Sequence, residues 1–250
     1  IVACGSAYHT GAAGKYVIEE LARIPVETDL ASEFRYRNPI YQENSLVIIV
    51  SQSGETADSL AALRDAKAHG CKVLSIVNVV GSSIARESDA VLYTWAGPEI
   101  SVATTKAYSC QLAVFYLLAL KFAQIRSTIT PDTFQTLLTA LKQLPDQIEG
   151  LLSQKEKIQF FANHYLATEH IFFMGRGIDY AISMEGSLKL KEISYIHSEA
   201  YAAGELKHGT ISLMEDGTLV VALATQDALY PKTVSNMIAV SYTHLTLPTT

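Results

Sequence analysis

Cysteine is scarce in this sequence, and the three that occur, Cys4, Cys71 and Cys110, lie far apart. None forms a CxxC pair, so the chain lacks the dithiol redox motif. An odd number of widely spaced cysteines is typical of reduced thiols, and we expect a cytosol-like, cytoplasmic compartment. No group of histidine, cysteine and aspartate residues has zinc-ligand spacing. We therefore expect neither a metal nor a cofactor.

Basic residues are also in the minority, with 19 Lys and Arg against 25 Asp and Glu and a net charge of −6. Binding to a nucleic acid backbone needs a basic face, so nucleic acid is not the expected partner. Long apolar runs are absent too. The most apolar stretch, Leu112–Leu120, is too short to span a bilayer, so no membrane is expected either. An anionic substrate would have to be held by local features.

The glycine motifs of common nucleotide and acyl-transfer sites are missing as well. Neither GxGxxG nor GxSxG occurs, and GSAYHTG (Gly5–Gly11) fails the dinucleotide pattern. The chain starts inside an apolar run without an initiator methionine or a signal-peptide pattern, and we expect it to be a fragment of a longer protein.

What the sequence does contain is a regular alternation of short β-branched runs and helical segments. With 49% hydrophobic and 18% charged residues, the chain can bury a core. The alternation predicts an α/β fold with a parallel sheet between helices. The predicted strands are Ile1–Cys4, Val26–Leu30, Ser45–Val50, Lys72–Asn78, Ala90–Trp95 and Ile171–Met174. The predicted helices are Tyr8–Arg23, Ala57–Gly70, Val102–Gln124, Pro131–Leu144, Gln147–His164 and Tyr180–Tyr195.

The pattern of strand, glycine and helix occurs twice. IVACGSAY (Ile1–Tyr8) and IFFMGRGI (Ile171–Ile178) each have four apolar residues, a glycine and a helix start. We therefore predict a duplicated α/β domain whose second copy is truncated. The predicted boundaries are 1–125 for the first domain, 126–168 for a helical connector, 169–240 for the partial second domain and 241–250 for a tail. The tail, SYTHLTLPTT, fits neither pattern and is expected to be a sequence artefact.

The most informative motif is SQSGET, Ser51–Thr56, which lies between a predicted buried strand and a predicted helix. It supplies three hydroxyls, and Gly54 allows a ligand to approach the backbone closely. The helix that begins there leaves unpaired N–H groups and a positive dipole end, which suit an anion. Because the turn has no lysine, a Walker-type loop is excluded, and a phosphate monoester fits better than a nucleotide triphosphate. The alternative is an ordinary turn capped by serine or threonine.

A second group of polar residues lies on the predicted helix Tyr180–Tyr195. Glu185, Lys189 and Glu192 share one helical stripe, and two carboxylates beside an ammonium could move protons. The alternative is a solvated, salt-bridged face. A second stripe, predicted to pack on the core, contains Met184, Leu188 and Tyr195.

The segment HSEAYAAGELKHG, His197–Gly209, combines charged residues with small ones. This composition predicts a close-fitting loop. His208 could act there as an acid or a base near neutral pH, and the alternative is an exposed loop histidine.

Taken together, these motifs resemble the isomerase half of the glutamine–fructose-6-phosphate aminotransferases, which is built from two sugar isomerase (SIS) domains. The resemblance covers Ile1 to about Met237. It implies a parallel sheet between helices in each domain and a role in amino sugar biosynthesis, the hexosamine pathway. The matching motifs are CGSAY, ASEFRYR, SQSGETADSL, VGSSIARESD, EISVATTKAY, GRG and EGSLKLKEISYIHSEAYAAGELKHG.

The resemblance also implies a set of substrate-binding residues. The hydroxyl turn would hold the phosphate of fructose 6-phosphate through Ser51, Gln52, Ser53 and Thr56. The turn Gly5–Ala7, with Ser6, would lie beside it, and the backbone near Val102 would line the sugar. Many relatives have Thr-Ser where this chain has Ser6 and Ala7, so one phosphate hydroxyl is expected to be lost.

The implied catalytic residues are Glu192, Lys189 and His208. Glu192 would be the base that moves a proton between C1 and C2 of the open-chain sugar imine, yielding glucosamine 6-phosphate. Lys189 would assist that transfer or stabilise the enediol-like intermediate. His208 would open the sugar ring in the site of a neighbouring subunit, which implies a homodimer.

Two parts of these enzymes are expected to be absent from the chain. One is the glutaminase domain that supplies ammonia from glutamine, and the other is a carboxyl-terminal lysine that forms a Schiff base, since the tail has no lysine. A non-catalytic SIS module that binds a phosphosugar therefore stays open as an alternative. Such a module would need SQSGET alone, so the joint presence of Glu192, Lys189 and His208 favours the enzyme.

Overall fold

The protein, seen here in a computed structural model, is described over residues 1–242. It forms two compact units, Ile1–Lys142 and a second that begins at Gln143. Of the predicted tail, Ser241 and Tyr242 lie in the helix that precedes it, although the sequence of the tail fits neither a strand nor a helix pattern. The remainder of the tail lies outside the described residues.

The first unit is built on a five-stranded sheet in which every pair of neighbours is parallel, in the order β2-β1-β3-β4-β5. Its strands are rich in Val and Ile, which suit a sheet that is buried on both faces. They are β1 (Val2–Ala3), β2 (Asp29–Leu30), β3 (Leu46–Ser51), β4 (Lys72–Val77) and β5 (Ala90–Tyr93).

Helices cover both faces of this sheet, as the alternation predicts. They are α1 (Gly5–Ala22), α2 (Ala31–Phe34), α3 (Ala57–Ala68), α4 (Ser83–Glu87) and α5 (Thr105–Arg126). On one face, α2, α3 and α4 share a core cluster with Val47 and Ile49 of β3. Because strand side chains alternate, Ile48 and Val50 point to the other face.

The pairing of α1 with α5 explains the apolar character of α5. By length and composition, α5 is the one helix of residues 1–242 that could cross a membrane. However, Phe115, Ala119 and Ala123 are buried, and the ring of Phe115 packs directly on Gly14 of α1. At this point α5 is therefore packed as a core helix of the first unit.

The second unit repeats the start of the first on a smaller scale. Its sheet has the order β7-β6-β8, again parallel throughout, which reproduces the β2-β1-β3 order. The predicted duplication, with a smaller second copy, is thus confirmed. The remaining elements are α6 (Pro131–Leu152), α7 (Lys155–His164), β6 (His170–Gly175), α8 (Ile178–Ser194), β7 (His197–Ala202), β8 (Leu219–Ala222) and α9 (Tyr230–Tyr242).

Two predictions about secondary structure are wrong. A helix break was expected near Pro145, but α6 continues through it and the chain breaks only after Leu152. The carbonyl group that Pro145 leaves without a helical partner lies on an exposed helix, where water can satisfy it. The predicted loop after α8 begins instead with β7, which pairs with β6 along its whole length and so satisfies its backbone in a ladder.

Candidate functional site

The strand order of the first sheet indicates which edge of the first unit is suited to bind a ligand. In a parallel sheet of order 2-1-3-4-5, ligands bind beyond the carboxyl ends of β1 and β3, where the direction of winding reverses. The segment after β1 opens α1 and contains Ser6, while the segment after β3 is the hydroxyl turn, Ser51–Thr56. The fold therefore brings two of the sequence-predicted binding segments to the same edge.

The hydroxyl turn is held in shape by its own side chains. Ser51 Oγ accepts a hydrogen bond from the Gly54 N–H at 3.0 Å and lies 3.1 Å from Thr56 Oγ1. Ser53 Oγ accepts a hydrogen bond from the Glu55 N–H at 3.2 Å. Ser51 is buried, whereas Ser53 and Thr56 are half-buried. The last two hydroxyls are thus the ones that solvent, or a ligand, reaches more easily.

Thr56 is the N-cap residue of α3, but its side chain makes no capping hydrogen bond. This differs from the alternative of an ordinary capped turn, because in such a turn the Thr56 hydroxyl would accept a hydrogen bond from a backbone N–H of α3. The first N–H groups of α3 and the positive end of its dipole face the same edge of the sheet. Hydroxyls, backbone amides and a helix start in this arrangement can bind an anion.

The other two binding candidates lie in less buried positions. Ser6 is half-buried in the first turn of α1, whose N-cap residue Cys4 makes no side-chain cap. Val102 is 92% exposed in the connection between β5 and α5. That connection is held by Glu99, which accepts hydrogen bonds from the N–H groups of Ser101 at 3.3 Å and Ala107 at 3.1 Å.

In the second unit, the structure joins the three charged residues of α8. Lys189 Nζ lies 3.4 Å from Glu185 Oε1 and is also hydrogen-bonded to Glu192 Oε2. The Glu185 side chain is only 6% exposed, against 31% for Glu192. A fully solvated salt-bridged face does not bury a carboxylate, so the geometry disfavours that alternative. Glu192 is the more accessible of the two carboxylates.

The predicted apolar stripe of α8 is only partly right. Tyr195, predicted to pack on the core, is 91% exposed and ends the helix in a left-handed conformation. The face of α8 that is buried carries small and polar residues instead. These are Asp179, Ala181, Ser183, Glu185 and Ser187. Small side chains let the helix approach the sheet closely, which a pattern of large apolar residues does not reveal.

His208 ends a short 3₁₀ helix, Glu205–His208, and is exposed. The following Gly209 has φ of 132°, a value that L side chains rarely adopt. This placement agrees with the sequence-based alternative of an exposed histidine, and it leaves the imidazole accessible to a partner of any kind.

The corresponding edge of the second unit carries a different chemistry, which the sequence analysis missed. There, Asp179 is 3% exposed, and its carboxylate accepts hydrogen bonds from the N–H of Thr225 at 2.9 Å and from its hydroxyl at 2.5 Å. The Asp179 carboxylate thus accepts the hydrogen bonds of Thr225, a residue that follows β8, and β8 is the counterpart of β3. A lone aspartate three residues after Arg176 carries no sequence signal of this role.

Comparisons with known proteins agree with this architecture. The profile of the SIS domain matches residues 1–121 and 165–241. The chain belongs to the SIS domain family. The two SIS segments contain the two sheets, and the interval between them, 122–164, contains α6 and α7.

The curated relatives of this SIS protein support the resemblance seen in its motifs. The chain is 62% identical over 237 residues to the glutamine–fructose-6-phosphate aminotransferase [isomerizing] of Caldanaerobacter subterraneus subsp. tengcongensis. It is 60% identical to the protein of that name from Clostridium acetobutylicum. Each match covers 95% of this chain but 39% of the relative, so the chain spans about two fifths of their length.

Solved structures agree as well. The C-terminal domain of glucosamine-fructose-6-phosphate aminotransferase from Francisella tularensis superposes with a TM-score of 0.93 at 42% identity, covering 96% of this chain and 67% of that one. A phosphosugar isomerase, so described, from Silicibacter pomeroyi DSS-3 has a TM-score of 0.84 at 27% identity, with coverage of 100% and 75%. The resemblance to the isomerase half of these aminotransferases is confirmed.

Proposed function

We propose that this chain is the phosphosugar-binding, isomerising part of a cytoplasmic glutamine–fructose-6-phosphate aminotransferase. The observation that carries the proposal is the hydroxyl turn, which lies at the carboxyl end of β3 beside the start of α1. This is the edge of a parallel α/β sheet where ligands bind. The names of the relatives add the substrate, fructose 6-phosphate, to what the turn alone supports, an anion of phosphate type.

In this proposal, Ser51, Gln52, Ser53 and Thr56 hold the phosphate together with the first amides of α3. Ser6 contributes from the start of α1, and the backbone near Val102 lines the sugar. A phosphate monoester carries nearly two negative charges at neutral pH, and hydrogen bonds to charged groups are the stronger ones. Local donors of this kind can bind an anion even though the whole chain has a net charge of −6.

The chemistry that follows binding is assigned to the second SIS segment. Glu192 removes a proton from C1 of the open-chain C2 imine while the imine nitrogen gains a proton, and it then returns a proton to C2 while the C1 hydroxyl loses one. The imine of fructose 6-phosphate thereby becomes the open-chain aldehyde form of glucosamine 6-phosphate. Lys189, hydrogen-bonded to Glu192, stabilises the negative charge that develops on oxygen during the transfer. The accessible His208 opens the sugar ring for a neighbouring subunit of a homodimer. Ammonia comes from a glutaminase domain elsewhere in the protein.

A second candidate is a non-catalytic SIS module that binds a phosphosugar. It is favoured by one observation: the hydroxyl turn is complete within the first unit, and its internal hydrogen bonds use no residue of the second. The two candidates differ in proton transfer, because only the enzyme exchanges a carbon-bound hydrogen of the sugar with solvent.

The test is a Glu192→Gln variant of the full-length protein. Glutamine keeps the size and most hydrogen bonding of glutamate but cannot accept the proton, so the rate should fall by about 10²–10⁴-fold. The affinity for fructose 6-phosphate should change little. The rate is followed as product formation and as deuterium incorporation at C2 in D₂O. Glu169→Gln, which changes an exposed carboxylate of the same unit, is the matched control.

Normal deuterium incorporation by Glu192→Gln would place the base elsewhere, and Glu185 on the same helix would be examined next. A wild-type protein that binds the sugar phosphate but never exchanges its hydrogen would support the non-catalytic module. Loss of binding and exchange together would mean that Glu192 is needed for structure rather than for proton transfer.

A further inference from the structure

Three hydrogen bonds join the hydroxyl turn to the chain that follows β4, from Asn78 to the first turn of α4. The carbonyl of Gln52 accepts from the Asn78 N–H at 3.1 Å, and that of Gly54 accepts from the Ile84 N–H at 3.0 Å. The third is made by a side chain: Glu55 Oε1 accepts from the Ser83 N–H at 2.7 Å. Of these three, only the last can be removed by a side-chain substitution in the motif.

Glu55 is at first sight out of place. It is an exposed carboxylate within a turn that is proposed to bind a phosphate, and two like charges at close range repel each other. The other residues of the motif provide the hydroxyls of two serines and a threonine, the side-chain amide of Gln52 and, at Gly54, a backbone conformation that other residues rarely adopt. A residue that opposes the ligand by its charge needs another reason to be there, and its hydrogen bond to Ser83 supplies one.

That hydrogen bond caps α4. Ser82 is the N-cap residue of this short helix, but its side chain makes no capping hydrogen bond, so the first N–H groups lack a local acceptor. Glu55 provides the acceptor from the adjacent turn. The hydrogen bond from the Ser83 backbone holds the pKa of Glu55 below its usual range, and Arg86 contributes in the same direction. The carboxylate is therefore charged, and accepts the bond, at neutral pH.

The contact between Gly54 and Ser82 shows how closely the two turns fit. A Cβ on Gly54 would meet the Ser82 hydroxyl and lie 2.5 Å from the Ser82 Cβ, so the backbone of one turn rests on the side chain of the other. Residues 54 and 55 thus form a two-point attachment, one by packing and one by hydrogen bonding. The donors for an anion, at Ser53 and Thr56, lie directly on either side of this attachment.

We propose that Glu55 is a positioning residue: by capping α4, it fixes the hydroxyl turn in the shape that binds the phosphate group of the sugar. This inference rests on the proposed function. Its physical basis is that donors already held in their bound arrangement lose less conformational entropy when the anion arrives. Glu55 itself makes no contact with the phosphate.

The test compares Glu55→Ala with Glu55→Gln, and with Glu43→Ala as a control on an exposed carboxylate of the same unit. Binding of fructose 6-phosphate and of inorganic phosphate is measured by calorimetry, and hydrogen exchange reports on the Ser83 amide. Glu55→Ala should weaken both ligands about tenfold and speed exchange at Ser83. Glu55→Gln keeps an acceptor oxygen for Ser83 and removes the charge that opposes the anion, so it should bind both ligands at least as tightly as the wild type. Glu43→Ala should behave like the wild type. In the full-length enzyme, KM should rise while kcat stays nearly constant, as expected for lost ground-state binding.

A second variant removes the donor instead of the acceptor. Ser83 is the first residue of α4, a position where proline is well tolerated, and the φ and ψ of Ser82, −61° and 163°, suit a residue before proline. Ser83→Pro should therefore weaken phosphate binding as much as Glu55→Ala does. Ser83→Ala, which removes only the hydroxyl that accepts a hydrogen bond from Arg86, is the control for this variant. The double variant should be no weaker than Ser83→Pro alone, because both substitutions remove the hydrogen bond between Glu55 and the Ser83 N–H. Ser83→Pro also tests the positioning role of Glu55 if the Glu55→Ala variant does not fold.

Three results would count against the inference in different ways. If the wild type binds neither ligand, the proposed function fails and this inference fails with it. If the wild type binds both and the single variants at positions 55 and 83 bind equally well, the function stands and the positioning role is wrong. If Glu55→Gln weakens binding as much as Glu55→Ala although it retains an acceptor oxygen, the hydrogen bond to Ser83 is not the cause, and the capping role is overturned.

Discussion

Gly54 is the residue of the hydroxyl turn that tolerates least change. Its φ is +69°, in the left-handed region, and any Cβ there would collide with Ser82. The sequence predicted a need for glycine at this position, but for another reason, the close approach of a ligand to the backbone. The collision partner lies 28 positions away and becomes visible only once β3 and β4 are paired.

Gly54→Ala should destabilise the first unit by about 1–3 kcal/mol, because it adds backbone strain and displaces Ser82. The matched control is Gly150→Ala in α6, where a Cβ meets nothing within 4 Å. There, alanine should stabilise the helix by about 0.5–1 kcal/mol. Thermal unfolding of both variants checks the pair. A Gly54→Ala protein as stable as the wild type would mean that the two turns are not tightly packed.

For single residues, the sequence predicts which side chains carry functional groups better than it predicts which distant residues they contact. The hydroxyl turn was found from its residue types and its place between a predicted strand and a predicted helix, and the charged group on α8 was found from its helical spacing. The role of Glu55 toward Ser83, and that of Asp179 toward Thr225, were not, since each depends on which strands become neighbours. The roles of Glu192, Lys189 and His208 in catalysis stay predictions.

Among the elements, α8 and β7 show which features the sequence pattern does not predict, namely the buried face of a helix and a strand of mixed composition. The helix was predicted because the pattern of strand, glycine and helix restarts at Ile171, and it is present. The prediction of its buried face was only partly right. Small residues and two carboxylates, Asp179 and Glu185, face inward, and Tyr195 is exposed. The strand β7 was missed because its sequence, HSEAYA, mixes charged and small residues. Backbone pairing with β6, rather than the composition of β7, makes this segment a strand.

The strands of the first sheet are joined in a way that makes its stability depend on pH. The Asp89 carboxylate, just before β5, accepts a hydrogen bond from the Val73 N–H of β4 at 2.8 Å. That bond, together with Lys67 and Lys72, holds the pKa of Asp89 below its usual range. The folded state therefore binds fewer protons at this site than the unfolded state does.

It follows that the contribution of Asp89 to stability is complete above the usual aspartate pKa, near 4, and is lost as the pH falls through the lower folded value. We expect the urea midpoint of the wild type to decline in this acid range. Asp89→Asn, which keeps an acceptor oxygen for Val73 but cannot ionise, should show a smaller decline. Identical pH profiles for the two proteins would remove Asp89 from the account of acid stability.

Considered as a whole molecule, the chain is a duplication in which the two copies have diverged at the same place. The repeated start, IVACGSAY and IFFMGRGI, predicted this, and both copies begin with a strand flanked by parallel neighbours on either side. After β3, the first unit has the hydroxyl turn. After β8, the counterpart of β3, the second unit has Thr225, which is hydrogen-bonded to Asp179. Sequence similarity between the copies is too weak there to predict the difference.

Calorimetric titration of the chain with fructose 6-phosphate and with fructose measures whether the first unit binds a sugar through its phosphate. We expect binding of the phosphorylated sugar only. Ser53→Ala and Thr56→Ala should each cost roughly 1.5–3 kcal/mol of binding free energy, since each removes a hydrogen bond to a charged group. Thr136→Ala, on the exposed surface of α6, should change nothing. Equal affinity for the two sugars in a folded sample would contradict binding through the phosphate.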